Sequence, residues 1–193
     1  MRKLIRSDLM SLEAYASQRA GLRARTIAHK RTRTLHLGGH FTLLFEDTIT
    51  VQAQVQEMLR IERIFEAEGI QDELDAYNPL IPDGENLKAT LLIEYANAKQ
   101  RAAELARLHG IERAFFAEVD GCGRALLHVD EDMERSDGEK TSAVHFLRFE
   151  FDPEAIHALR AGATLSFGVD DPRVPLRLAA DTSLRAALLA DFD

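Results

Sequence analysis

TSAVHFLRFEF, residues 141–151, alternates its side chains throughout. In an extended chain Ala143, His145, Leu147, Phe149 and Phe151 fall on one side. Val144, Phe146, Arg148 and Glu150 fall on the other. Period-two alternation rich in aromatic residues predicts a strand with one face in a core and the other less covered. Leu87 to Tyr95 repeats the pattern, with Leu87, Leu91 and Ile93 opposite Lys88, Thr90 and Glu94. RTLHL (33–37) and FTLLF (41–45) read as a hairpin across Gly38-Gly39, and 113–119 with 124–129 as another across Asp120-Gly121-Cys122-Gly123. Thr164 to Val169 is a last strand.

Helical spacing fills the intervals. Ser7 is placed to cap a helix through Leu9, Leu12 and Tyr15, with a break near Gly21 before a basic helix resumes. Asp47 or Thr48 caps the longest helix, 48–68, which Gly69 ends. Shorter helices are predicted over 71–76, 97–108, from Pro153 to about 160, and 182–189. Residues 130–140 read as a charged, solvated loop. The fold class is therefore α+β: a largely antiparallel mixed sheet of about six or seven strands with one long central helix and several shorter ones. No repeat or clean linker appears, so residues 1–193 are expected to form a single domain.

Composition narrows the function classes. At 193 residues and 46% hydrophobic, the chain can bury a core without staples. One cysteine, Cys122, cannot make an internal disulfide. No apolar run approaches the roughly 18 residues of a membrane span, and MRKLIRSDLM lacks the apolar stretch of a secretory signal. A cytoplasmic protein with no membrane partner is expected. The net charge is −8, but residues 1–34 carry nine Lys/Arg against two Asp/Glu, or +7, leaving −15 on the rest. The basic segment has apolar helical spacing at Ala20, Ala24, Ile27 and Ala28, so it is expected to pack on the acidic α+β body. A body of −15 would repel a phosphate backbone, which argues against nucleic acid.

No Gly-rich phosphate loop, nucleophile elbow or Cys-x-x-Cys is present. A two-residue turn would put His36 and His40 on opposite sheet faces, whereas a longer turn could bring the pair together, and Glu154-Ala-Ile-His157 is a single Glu-x-x-His where a di-iron bundle needs two. No metal site is expected. Polar residues among apolar ones are more informative. On the long helix, Glu62 falls within the stripe Val51, Val55, Met58 and Phe65, and Glu57 lies one turn before Ile61 and Ile64. A buried carboxylate needs a cation, hydrogen bonds, a proton or a metal. Arg60 or Arg63 would make it a structural pair; otherwise it is a functional acid or base. His145 lies on the more apolar face of its strand, while Arg148 leaves on the mixed face, where it could clamp an anion. Lys88 follows the Pro/Gly-rich loop, a suitable mouth for a ligand site.

Three blocks carry a resemblance: LLFEDTITVQAQVQEMLRIERIF (43–65), DELDAYNPLIPDGENLKATLLIEY (72–95) and EKTSAVHFLRFEF (139–151). Together with the Arg-rich opening and the LGGH turn, they resemble the uncharacterised bacterial family called domain of unknown function 3501. The resemblance covers nearly the whole chain and implies a bacterial, cytoplasmic protein. It supplies no agreed catalytic residues and no cofactor. Its members' frequent neighbours, a rubrerythrin-like di-iron protein and an iron–sulfur oxidoreductase subunit, imply a role in oxidative-stress metabolism. Two expectations follow. One is a non-catalytic accessory or binding protein serving such a redox partner. The other is an enzyme, or a metal- or anionic-ligand-binding protein. Its acids and bases would be Glu57, Glu62 and His145, with Arg60, Asn78, Lys88 and Arg148 holding the ligand.

Overall fold

A computed structural model describes residues 2–131 and 140–193. Of the loop read over 130–140, residues 132–139 lie outside the described residues. Nine strands form two antiparallel sheets among the described residues. The first runs β1(Thr34–Leu37), β2(Phe41–Phe45), β3(Asn86–Ile93), β7(Val144–Glu150), β6(Leu126–Val129) in spatial order. The second runs β5(Gly123–Arg124), β4(Phe115–Val119), β8(Leu165–Val169), β9(Leu176–Ala179). The sheets stack through aromatic contacts: Phe167 lies 4.9 Å from Phe45 and 5.8 Å from Phe149, and Phe41 meets Phe115 edge-on at 5.5 Å. Alternation in β3 and β7 aims Leu87, Leu91, Leu147 and Phe149 into this core.

Six α-helices complete the described fold: α1(Leu12–Arg31), α2(Thr48–Glu62), α3(Ala67–Tyr77), α4(Ala98–Arg107), α5(Pro153–Ala161) and α6(Thr182–Leu189). A second apolar cluster, Leu4, Val51, Val55, Leu59, Leu74 and Ile81, binds the N-terminal segment to α2 and α3. The two clusters are separate because α2 and α3 sit against the other face of the first sheet, where polar side chains alternate with the core residues.

The α+β class and the antiparallel pairing stand. Several details differ for local reasons. The helix expected over 48–68 is two helices: Arg63 turns left-handed at φ 55° and Glu66 opens α3. Gly69 therefore lies inside a helix rather than ending one, and its missing side chain makes room for Ile64, whose Cγ2 would sit 2.8 Å from an added Cβ. The longest helix is α1, unbroken through Gly21, with Ser11 rather than Ser7 accepting the capping bond from the Ala14 amide. Residues 124–129 do not return as one hairpin strand. The chain pairs with β4 for two residues, then crosses at Ala125 to pair with β7 in the other sheet. Strand β9 had no alternation strong enough to announce it.

Candidate functional site

Register makes the site. Lys88 on β3 faces Arg148 on β7, and Arg148 faces His128 on β6, so three basic side chains form one cross-strand row on the open face of the first sheet. Like charges placed directly opposite destabilise a sheet unless something neutralises them. Glu131 does so for Arg148: its two oxygens accept from Arg148 Nε at 2.8 Å and Nη2 at 2.7 Å, a bidentate pair. Glu150 accepts from Nη1. These carboxylates hold the guanidinium pKa above its ordinary value, and Arg148 in turn lowers that of Glu131.

Lys88 is treated differently. Its Nζ donates to the Pro79 and Ile81 carbonyl oxygens at 2.7 and 3.1 Å, and its nearest carboxylate, Asp83, is 3.9 Å away. Lys3 reaches the same loop from the N-terminus, donating to Ile81 O at 2.6 Å and Asn78 O at 3.0 Å. Two lysine amino groups thus share one carbonyl. Burial pushes both pKa values down; each is lowered further by a neighbouring cation, Lys88 for Lys3 and Arg148 for Lys88, with Asp83 opposing.

Above this row α2, α3 and the Asn78–Leu80 turn close a groove of about 490 Å3. Lys88, Arg148 and Glu131 supply its charge; Met58, Tyr77, Leu80 and Phe146 make much of the remaining wall. Glu73 also lines it, its carboxyl pushed up by burial and by the charges of Glu62 and Asp72. A volume of this size suits one small molecule. Cations on a largely apolar bed suit an anion with a flat or aliphatic body.

The other residues singled out from the sequence lie elsewhere. Glu57 is the clasp of α1 on α2: it accepts from Tyr15 Oη at 2.7 Å, Arg19 Nε at 2.7 Å and Arg60 Nη2 at 3.0 Å. Arg19 and the other donors hold its carboxyl down at about 2, and the Tyr15 phenol is driven up to about 12 by burial and by Glu57. Arg60 is thus committed to Glu57. Glu62 is exposed at the last position of α2, and Phe65 beyond it is 67% exposed, because the turn at Arg63 takes both off the packed stripe. Asn78 spends its amide on the backbone of Leu4, accepting at 2.8 Å and donating at 2.9 Å. The structure brings Lys88 and Arg148 together and separates them from Glu57, Glu62 and His145.

His145 points into the inter-sheet core and is fully buried. Its Nδ1 faces Asp130 Oδ2 at 2.5 Å; its Nε2 faces Thr141 Oγ1 at 2.7 Å and the Ser142 carbonyl at 3.1 Å. The order hydroxyl–imidazole–carboxylate has the connectivity of a nucleophile relay. Its chemistry differs. Both ring nitrogens are engaged by oxygen partners, Nδ1 by Asp130 and Nε2 by the Thr141 hydroxyl and the Ser142 carbonyl. The Thr141 hydroxyl donates to Glu112 Oε2 at 2.8 Å, and it is buried. The network pins β7 to the Ile111–Ala114 turn.

The Gly38 loop has three residues, since Leu37 pairs with Phe41. His40 stacks on Tyr95 at 4.0 Å, and His36 bonds Thr42. Cys122 is half-buried. Among the described residues no three His, Cys, Asp or Glu side chains are grouped to hold a metal ion, and no helix is long and apolar enough to cross a membrane.

Sequence reasoning missed Glu131, Glu73 and Tyr77 in the groove, and Lys3 at its loop. Glu131 is brought there by the register of β6 against β7, and Glu73, Tyr77 and Lys3 by the packing of α3 and the N-terminal segment, neither of which spacing along the chain contains. It also missed Arg33, which is buried, bonded to the Phe45, Ala187 and Glu46 carbonyls and paired with Asp191.

A family of proteins described as "Protein of unknown function (DUF3501)" matches residues 3–192. A crystal structure of a novel protein of unknown function from Burkholderia pseudomallei K96243 is 52% identical over 100% of both chains, with a TM-score of 0.94. No curated protein matches.

Proposed function

The chain belongs to the DUF3501 family of proteins of unknown function, and we propose that it is a binding protein for a small amphipathic organic anion. The observation that carries this reading is the cross-strand pair Lys88 and Arg148 at the floor of a groove with apolar walls. Glu131 pairs with Arg148 through a bidentate contact. An incoming carboxylate, sulfonate or phosphate takes over that bidentate contact, while its body rests on Phe146, Tyr77 and Met58. The exchange of one anion for another keeps Arg148 neutralised throughout, which avoids the cost of an unpaired half-buried cation.

The test uses 8-anilinonaphthalene-1-sulfonate (ANS), an aromatic anion whose fluorescence rises in an apolar site. Saturable binding to the folded protein is expected. Arg148→Gln should weaken it about ten-fold, the scale of one charge-assisted contact. Glu131→Gln should strengthen it by removing the internal competitor. Arg177→Gln, outside the groove, serves as the surface control. Unchanged affinity in both groove variants would refute the reading.

A protein partner is a second reading, supported by Ile61 and Phe65, 57% and 67% exposed beside the half-buried Ile64. Clustered exposed apolar residues beside charges suit an interface anchor. In this reading the partner is the rubrerythrin-like or iron–sulfur protein of oxidative-stress metabolism, met in the cytoplasm. Co-sedimentation of the purified proteins, abolished by Phe65→Ser, is the expected result; no association, or association indifferent to that change, counts against it.

A further inference from the structure

Lys88 has features that simple anion binding does not use. Its side chain is 12% exposed and its Nζ lines the groove, held by two backbone carbonyls. An ammonium has three hydrogens to place; a neutral amine has two. Two carbonyl acceptors satisfy the amine fully and leave its electron pair in the third position. Among the described residues no carboxylate comes within hydrogen-bond distance to claim a third hydrogen, since Asp83 stops at 3.9 Å. Directly opposite residues of antiparallel strands have Cβ atoms about 4.5–5.5 Å apart, so the Lys88 amine and the Arg148 guanidinium can address neighbouring groups of one small molecule.

We infer that Lys88 is a carbonyl-capturing amine: its Nζ condenses reversibly with the aldehyde or ketone of a small oxo acid whose carboxylate pairs with Arg148. This rests on the groove being an anion site and assigns the class of its ligand. The amine's electron pair forms the C–N bond as the carbonyl π electrons move to oxygen. The two amine hydrogens finish on that oxygen, which leaves as water, and C=N remains. No oxidant or reductant is involved. The neutral nucleophile is favoured by burial, the largest influence on the Lys88 pKa, and by the neighbouring Arg148, against the opposing charges of Asp83, Glu131 and Glu150. Glu73, another groove-lining carboxyl whose pKa burial raises, serves as the acid for loss of water.

The chain has only five lysines, Lys3, Lys30, Lys88, Lys99 and Lys140, so labelling is easily mapped. The wild-type protein is incubated with glyoxylate and sodium cyanoborohydride, which reduces any imine to a stable secondary amine, and peptides are sequenced by mass spectrometry. Labelling of Lys88 is expected to be about ten-fold faster than that of exposed Lys99 at neutral pH, as an oriented bound carbonyl requires. Its rate should reach its plateau at a lower pH than an ordinary lysine amine requires. Arg148→Gln should slow Lys88 about ten-fold and leave Lys99 unchanged. Glyoxylate should compete with ANS. If ANS binds in the groove yet Lys88 labels no faster than Lys99, or Lys3 labels in its place, the covalent role is overturned and the groove stands. If ANS does not bind, the groove fails and this inference with it.

Discussion

Asp191 is buried with one oxygen on Arg33 and the other, Oδ1, without a hydrogen-bond partner among the described residues. Burial outweighs the pull of Arg33 and, with Asp47 close by, drives its pKa up to about 6. The sign follows from linkage: the folded state holds this proton more tightly than the unfolded chain, so stability falls as pH rises from about 4 to about 6. Asp191→Asn should flatten that decline, by about 1–3 kcal/mol across the interval, in denaturant titrations at several pH values. An unaltered pH profile would show that Asp191 is already ionised there. Glu57 has the opposite sign. Its pKa is depressed to about 2 by Arg19 first, then Tyr15 and Arg60. Its contribution is present above the unfolded value near 4.5 and is lost as pH falls from there toward 2. With 26% of the side chain exposed, Glu57→Gln should cost about 1–2 kcal/mol at neutral pH and nothing near pH 2. Equal destabilisation at both pH values would assign its effect to packing. Lys88 and Arg148 were legible in the sequence because alternation put them on the mixed faces of their strands. Glu62 was misread because the stripe it joined continued past a turn that only backbone geometry at Arg63 reveals.

Elements were legible where a single pattern controlled them. Strands β3 and β7 and helix α5 behind Asp152-Pro153 needed only alternation or a cap. They failed where a tertiary contact overrode the local signal. Gly69 looked like a helix stop but is a packing gap for Ile64, and Ala125 looked like mid-strand but is where the chain changes sheets. Two glycines test the same distinction. Gly21 lies in the middle of α1 with nothing within 4 Å of an added Cβ. Gly21→Ala should raise stability by about 0.5–1 kcal/mol, the helix-propensity gain, and a loss would mean a neighbour that this surface does not show. Gly168 lies on β8, where an added Cβ would meet Leu176 O at 2.2 Å and the Phe116 ring at 2.4 Å. The latter ring carries the Arg124 guanidinium at 4.2 Å. Gly168→Ala should cost about 2–3 kcal/mol, measured as a lowered denaturation midpoint at constant slope. A neutral change would mean that β9 moves away freely.

At the scale of the molecule, two cores meet across the open face of the first sheet. The inter-sheet core closes on itself, whereas the helical layer is held to the sheet partly through polar contacts. Lys88 and Lys3 bind the 78–81 loop, and Glu57, His29 and Arg33 bind the basic N-terminal segment to the acidic remainder. That seam is where a cavity persists, because polar side chains alternating with core residues cannot be packed as tightly as apolar ones without stranding their charges. The sequence conveyed the two charge blocks and the alternation, but the seam between layers depends on register. Its use as an anion site is tested most directly by an NMR titration of the isotope-labelled protein with ANS, following amide and methyl signals. Shifts should converge on both walls of the groove, at Met58 and Tyr77 on the helical side and at Lys88, Phe146 and Arg148 on the sheet. Shifts confined to Ile61 and Phe65, or none at saturating ANS, would contradict it.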